Sequence, residues 1–128
     1  MRTIKFRGKR VNDGQWVYGD LETRPTLEVA AIHQYDENGI YDCQDYVDRD
    51  TVGQFTGLHD INGKEIYEGD LLMSHENGEV FEVVYDAPRF CFKDNDFGFR
   101  FLNHPEFFGV CGNVYDDHLK GGNDEYQP

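Results

Sequence analysis

The amino-acid sequence predicts a mainly β protein, and three observations support this fold class. Apolar residues recur close to every second position in most of the 128-residue chain, which is the period of a strand. Aromatic residues make up 15% of the chain, and their bulky side chains favour strands. Dipeptides suited to tight turns recur at Asp13-Gly14, Asn38-Gly39, Asn62-Gly63 and Asn77-Gly78. Because Asn, Asp and Gly tolerate the positive φ angles of primed hairpin turns, each dipeptide is expected to join two antiparallel strands.

The first half of the chain is predicted to form two β-hairpins. Residues 3–7 alternate in polarity, and residues 15–21 follow across the first turn as their partner. Residues 26–35 (TLEVAAIHQY) are predicted to be a strand, with one short helix as the alternative, because their apolar side chains fit both periods. Residues 40–47 are the expected partner of that strand. Residues 35–50 carry six carboxylates and one Arg, which is typical of a solvated loop or hairpin.

The second half of the chain is predicted to be a run of short strands. They are expected at residues 52–55, 65–67, 71–73, 80–85, 89–93, 97–102 and 109–115. Strands of this number and length suit a small SH3-like antiparallel barrel. We therefore expect an N-terminal β-hairpin subdomain at 1–50, which is a candidate for oligomerisation, a β module at 51–120 and a flexible tail at 121–128, within one domain overall.

Charge is unevenly distributed along the sequence. The net charge is −13, yet the first ten residues contain five Lys or Arg and no Asp or Glu, which leaves −18 for the other 118 residues. Such a field repels phosphates, so direct nucleic-acid binding is not expected. The basic N-terminal segment is interpreted as an edge strand with a basic solvent face, or as a contact with an acidic segment of another protomer.

The sequence is typical of a cytoplasmic protein. No apolar run approaches the roughly 20 residues of a membrane helix, and the charged N-terminus lacks the apolar middle of a signal peptide. The three cysteines, Cys43, Cys91 and Cys111, are odd in number and lack CxxC spacing, which favours reduced thiols. Cys91 and Cys111 lie in apolar stretches and are expected to be core residues.

The stretch VGQFTGLHDINGKEIYEGDLL at residues 52–72, hereafter the signature segment, resembles the characteristic segment of YopX-like proteins, which bacteriophages and prophages of many bacteria encode. IKFRGK with WVYG near the N-terminus and GNVYD at residues 112–116 are similar to two further landmarks of that family, in the same order. His59 and Ile61 depart from its pattern, since they stand where basic residues are expected, and the terminal segment lacks a Pro-containing continuation. The resemblance implies a phage-derived cytoplasmic protein of unknown function, an SH3-like module in the C-terminal half, and self-association.

The sequence contains no recognisable catalytic or metal-binding pattern. The five His residues show neither HxxxH nor HxH spacing. Close carboxylate pairs occur in polar turns, where Asp commonly bonds to local backbone, at Asp48/Asp50, Asp94/Asp96 and Asp116/Asp117. Motifs for a serine hydrolase, a phosphate loop or a dinucleotide site are missing. We therefore expect no metal and no cofactor, and we do not favour an enzyme.

The signature segment itself has two interpretations. The first is scaffold, in which glycines serve bends while Phe55, Ile66 and Tyr67 fill the core. The second is a recognition surface, by analogy with the aromatic grooves of SH3-like barrels. The candidate binding residues of that surface are Gln54, Thr56, His59 and Tyr67, and Gln54, Thr56 and Tyr67 are expected to be exposed.

The leading functional hypothesis is a non-enzymatic accessory protein of a phage or prophage. It would form a homo-oligomer and bind a host or phage protein, without a membrane or nucleic-acid partner. The alternative is charge mimicry, in which an acidic chain occupies the DNA-binding groove of a host protein. A hydrolase with an unrecognised site comes third.

Overall fold

A computed structural model describes residues 3–23, 26–86, 89–94, 98–101 and 104–116 of the chain. The predicted tail at 121–128 lies outside the described residues. The strands are β1 (Phe6–Lys9), β2 (Trp16–Glu22), β3 (Val29–Tyr35), β4 (Tyr41–Asp48), β5 (Gly53–His59), β6 (Glu65–Tyr67), β7 (Asp70–Ser74), β8 (Val80–Asp86), β9 (Arg89–Asp94), β10 (Gly98–Phe101) and β11 (Phe108–Asn113). Single 3₁₀ turns occur at Arg49–Thr51 and Pro105–Phe107. Within the described residues, no helix has the length and apolar character needed to cross a membrane.

The chain divides into two compact units, Met1–Phe55 and Thr56–Pro128. In the first unit, β1 to β4 pair in sequence order as antiparallel neighbours, and the start of β5 pairs with the other side of β1. Alternate residues of these strands face one small core, in which Val17, Ala30, Ile32 and Val47 are buried. The predicted N-terminal hairpins are therefore confirmed.

The alternative of a short helix at residues 26–35 is wrong, because β3 runs through that stretch. Ala30 and Ile32, two residues apart, both face the core, as the two-residue period of a strand requires. The apolar residues fitted both periods because Ala31, between them, is buried as well.

The basic N-terminal segment does not form an edge strand as expected. β1 lies between β2 and β5, with Arg7 opposite Tyr18 on one side and Gly53 on the other. Arg7 is buried, and its guanidinium carbon lies 4.5 Å from the ring centroid of Trp16. The alternation of residues 3–7 could not reveal a second partner 46 residues further along the chain, since such a pairing leaves no local signal.

All four predicted turn dipeptides lie at turns, but the turns are not primed. Gly14, Gly39, Gly63 and Gly78 have φ between 73° and 81°, whereas no other described residue type has positive φ. A type I′ turn needs positive φ at both central residues, so the preceding Asp or Asn plays a different role. In two of the turns its side chain accepts a backbone N–H: Asp13 from Gln15 and Asn77 from Glu79.

The second unit contains a five-stranded antiparallel sheet in the order β10-β9-β8-β7-β11, together with the end of β5 paired with β6. Its core is aromatic and aliphatic, with Ile66, Leu72, Val83 and Phe92 buried and Phe81 and Phe108 packed against them. The mainly β prediction is confirmed, as the described strands form two antiparallel sheets. No closed barrel is present among those strands. At the outer edge of β11, a loop meets the strand in place of another strand.

Candidate binding surface

The structure buries half of the binding residues that the sequence suggested. Thr56 is 8% exposed and Tyr67 2% exposed, so the expectation that both are exposed is wrong. Gln54 is half-buried, and His59 is exposed at the end of β5. The four residues therefore do not share one exposed surface, and their role in binding stays a prediction.

Hydrogen bonds explain why Thr56 and Tyr67 point inwards. The Thr56 hydroxyl donates to the carbonyl of Ile66 at 2.8 Å and accepts from the Leu58 amide at 3.1 Å. The Tyr67 amide donates to the buried Asp70 carboxylate at 2.7 Å, and the Tyr67 hydroxyl donates to Glu65 at 2.9 Å. The Thr56 hydroxyl thus satisfies backbone groups and the Tyr67 hydroxyl bonds to a carboxylate, so both residues are scaffold in this unit.

Asp60 organises the loop of the signature segment. It is 6% exposed, and its Oδ1 accepts the amides of Asn62 and Lys64, each at 2.8 Å. Its Oδ2 accepts the amide of Val110, 50 residues away, at 2.9 Å. The neighbouring Ile61 amide donates to the carbonyl of Phe108 at 3.0 Å. One carboxylate thus shapes the turn and ties it to the outer edge of β11, where a further strand would otherwise pair.

The electrostatics of Asp60 agree with this structural role. Burial raises the pKa of Asp60, but the hydrogen bonds from the amides of Val110, Lys64 and Asn62 outweigh that effect, so the pKa lies below its usual value. The carboxylate is therefore charged at neutral pH and acts as an acceptor only, which does not suit a general acid.

An exposed cluster of rings lies instead on β3 and β4 of the first unit. We call residues 35–50 the acidic hairpin, and His33, Tyr35 and Tyr41 the aromatic cluster. Tyr35 is 48% exposed and Tyr41 51% exposed. Their ring centroids lie 5.6 Å apart at 75°, and the ring of His33 lies 5.8 Å from that of Tyr41. Such exposure of packed aromatic rings is typical of binding surfaces.

A β-bulge brings the three rings together. His33 is opposite Gln44 and Gln34 is opposite Cys43, but Tyr35 is opposite Tyr41, so Asp42 is the extra residue of β4. In a regular ladder Asp42 would stand opposite Tyr35. The bulge therefore turns Tyr41 onto the face that carries His33 and Tyr35, as bulges commonly re-aim side chains next to functional sites.

Hydrogen bonds hold the aromatic cluster in place. His33 Nε2 lies 2.6 Å from Glu22 Oε1, and His33 Nδ1 lies 3.2 Å from the Tyr41 hydroxyl oxygen. Glu22, His33 and Tyr41 thus form a row across three strands of one sheet face, exposed to solvent. Glu22 and Tyr41 therefore fix the orientation of the His33 ring between them.

Metal and thiol chemistry find little support in the described residues. No group of three or more His, Cys, Asp or Glu side chains among them could hold a metal ion. Cys43, Cys91 and Cys111 are free thiols. Desolvation raises the pKa of the Cys43 and Cys111 thiols, which lowers the thiolate fraction at neutral pH.

Cys91 is buried as expected, but the prediction that Cys111 is a core residue is wrong. Phe108 and Val110 pack against the core, and the register shifts between Val110 and Gly112. Cys111 therefore lies at a bulge on the opposite face of β11.

The aromatic cluster was not among the sites predicted from the sequence. His33 and Tyr35 are two residues apart in a predicted strand, which places both on one face. In the regular register that His33 and Gln44 begin, Tyr41 would face the opposite side of the sheet, and only the bulge aligns it with His33 and Tyr35. The acidic composition of residues 35–50 did predict a solvent-exposed segment, but it did not predict that aromatic rings would pack together there.

Comparisons with known proteins agree with this architecture. The family model described as YopX protein matches residues 5–120 of the chain. The crystal structure of protein EF1440 from Enterococcus faecalis is similar, with a TM-score of 0.60 and 20% sequence identity, over 91% of this chain and 96% of that chain. No curated protein matches the sequence. At this identity the structural likeness shows the fold alone.

Proposed function

Since the chain belongs to the YopX family, we propose that it is a non-enzymatic accessory protein of a phage or prophage that binds a basic segment of a host or phage protein in the bacterial cytoplasm. The observation that supports this proposal is the acidic hairpin with its exposed aromatic cluster. Rings supply contact area, and carboxylates supply charge complementarity to a basic partner.

The position of β4 supports the same partner chemistry. β4 is the last strand of its sheet, and the residues after β1 meet its outer side at Val47, through a bridge from Arg10, and at Tyr46, through the amide of Val11. The Arg10 guanidinium also lies 3.7 Å from the Asp45 carboxylate. No described strand pairs with the outer side of residues 41–45. Asp42 in this stretch opposes pairing with an acidic edge of a second copy and favours a basic segment, whereas Asp45 already contacts Gln34 and Arg10.

Neutralising two carboxylates of the acidic hairpin is expected to weaken binding of a fluorescent nine-residue oligolysine peptide about fivefold at low salt. Glu37→Gln with Asp42→Asn removes two exposed charges, each of which contributes on the order of 0.5 kcal/mol. The control is Glu76→Gln with Glu79→Gln, which removes the same number of negative charges beside another Asn-Gly turn. Fluorescence anisotropy measures the affinity of both double variants for the peptide. An equal loss of affinity in the two would contradict binding at the acidic hairpin.

Self-association is the second part of the proposal. The split between a basic N-terminal segment and an acidic remainder supports it, as do the exposed side chains of Ile61 and Phe107 in the second unit. Light scattering at high concentration is expected to give a mass of at least twice the 14.9 kDa of one chain. A mass of one chain contradicts this part alone.

DNA mimicry is a second candidate function, supported by the concentration of six carboxylates in residues 35–50. It differs from the first in the partner, which would be a protein with a DNA-binding groove. Affinity capture from host lysate distinguishes the two: duplex DNA added as competitor releases the captured proteins if the hairpin occupies such grooves, and it leaves them bound if it does not.

A further inference from the structure

We propose that the aromatic cluster of His33, Tyr35 and Tyr41 receives an arginine side chain of the basic partner. This inference rests on the proposed function and specifies its chemistry. It predicts a preference for arginine over lysine, which the charge of the hairpin alone does not produce.

The ring geometry leaves room for a flat cation. Tyr35 and Tyr41 are direct cross-strand partners whose rings meet edge to face at 5.6 Å, while about half of each side chain remains in contact with solvent. An edge-to-face pair leaves the face of at least one ring open. The face of an aromatic ring carries partial negative charge and attracts a guanidinium within about 6 Å of its centroid.

The charges around the rings favour a cation and disfavour other ligands. Glu22 is hydrogen-bonded to His33, Asp20 is the cross-strand partner of His33, and Asp42 adjoins Tyr41. Phosphates are repelled by these carboxylates, and an apolar segment would desolvate them without compensation. A cationic side chain gains from both the rings and the carboxylates.

Arginine suits this arrangement better than lysine does. Its planar guanidinium is weakly hydrated, stacks on aromatic faces and pairs with carboxylates in a fork geometry, whereas the lysine ammonium is a strongly hydrated point charge. The first unit already contains such a contact, since the guanidinium of Arg7 lies 4.5 Å from the Trp16 ring centroid. The Lys9 ammonium lies further from the same ring, at 5.8 Å.

The bulge at Asp42 is what makes the cluster a specific arrangement. Without the extra residue, a carboxylate would stand opposite Tyr35, and the ring of Tyr41 would point to the other face. The bulge therefore places a ring instead of a carboxylate opposite Tyr35, at the end of the β3–β4 ladder, and keeps the carboxylate next to it. A guanidinium bound here can contact a ring face and a carboxylate at the same time.

The test compares nine-residue oligoarginine and oligolysine peptides by fluorescence anisotropy at equal ionic strength. The unmodified protein is expected to bind oligoarginine about fivefold more tightly. Tyr35→Val with Tyr41→Val, which keeps strand propensity but removes both rings, is expected to weaken oligoarginine binding about tenfold and oligolysine binding no more than about twofold. Tyr41→Phe keeps the ring and is expected to retain the preference.

Tyr85→Val serves as the matched control. Tyr85 is 49% exposed and pairs with the Phe90 ring at 5.1 Å in the second unit, so its loss removes a comparable ring elsewhere. An unmodified protein without arginine preference, or an equal loss for both peptides in the double variant, overturns the inference. If Glu37→Gln with Asp42→Asn still weakens both peptides in that case, the proposed function stands and only the arginine site is excluded.

Discussion

Replacing Asp60 is expected to cause one of the two largest losses of stability in this protein, about 4 kcal/mol for Asp60→Ala and about 3 kcal/mol for Asp60→Asn at pH 7. The alanine variant leaves three amides without their acceptor, including that of Val110. In the asparagine variant one oxygen remains as an acceptor, either for the loop amides or for the Val110 amide. The NH₂ group then faces the other amide donors. Urea unfolding measures both changes.

The acidic hairpin contains a matched control for this prediction. Asp36 forms the same loop, because its Oδ1 accepts the amides of Asn38 and Ile40, each at 2.9 Å. Gly39 also donates to the Asp36 carbonyl, as Gly63 does to that of Asp60. Asp36 is exposed and has no counterpart to the Val110 bond among the described contacts. Asp36→Asn is therefore expected to cost less than about 1 kcal/mol, and equal costs at the two positions would contradict the long-range role of Asp60.

The effect of Asp60 should also depend on pH. Its folded pKa lies below the ordinary value of about 3.9, so its contribution is fully present above that value and is lost as the pH falls through the folded pKa. The difference in unfolding free energy between the unmodified protein and Asp60→Asn is thus expected to be constant near neutrality and to shrink below about pH 4. A difference that grows on acidification would contradict the assignment.

Gly19→Ala is the second substitution expected to have a large effect, about 3 kcal/mol or more. A Cβ at Gly19 would overlap the backbone carbonyl oxygen of His33 on the adjacent strand, which can only move by opening the β2–β3 ladder. Because His33 belongs to the aromatic cluster, the same substitution is expected to disturb the candidate site. Thermal unfolding followed by circular dichroism measures the loss.

Gly39→Ala separates this clash from ordinary glycine strain. Gly39 has a φ of 79°, yet nothing lies within 4 Å of a Cβ built there. Alanine at this position meets only the left-handed backbone penalty, about 1–2 kcal/mol. If Gly39→Ala is as destabilising as Gly19→Ala, close packing of β2 on β3 is not the reason for the glycine at position 19.

Much of the strand order could be predicted because hairpins leave local signals. Residues 65–67 were predicted as a strand and form β6, and residues 80–85 lie within β8. Contacts between residues far apart along the chain left no such signal. The pairing of β1 with β5 and the contact of Asp60 with Val110 are two examples, because the alternation of apolar residues within a strand does not show which distant strand it will meet. The buried state of Thr56 was missed for the same reason, since its hydroxyl was interpreted as surface before its backbone partners were known. For Tyr67, the scaffold interpretation, which placed the side chain in the core, is the correct one.

The candidate site depended on a feature that is harder still to predict. A single inserted residue in β4 reverses which face Tyr41 occupies, and the sequence carries no mark of the bulge. The signature segment supplied the candidate binding residues because it was the most recognisable stretch. Its polar residues Thr56, Asp60 and Asp70 are instead hydrogen-bonded to backbone groups. The segment is therefore recognisable because the fold requires these residues.

We propose above all that binding occurs at the acidic hairpin and that the signature segment is scaffold. Amide resonance mapping of the isotopically labelled protein, titrated with the oligoarginine peptide, tests this claim most directly. The expected result is that shifts concentrate on residues 33–46, with the largest at Tyr35, Tyr41 and Asp42, while residues 52–72 remain unchanged. Shifts centred on Gln54, His59 and the rest of the signature segment would contradict it.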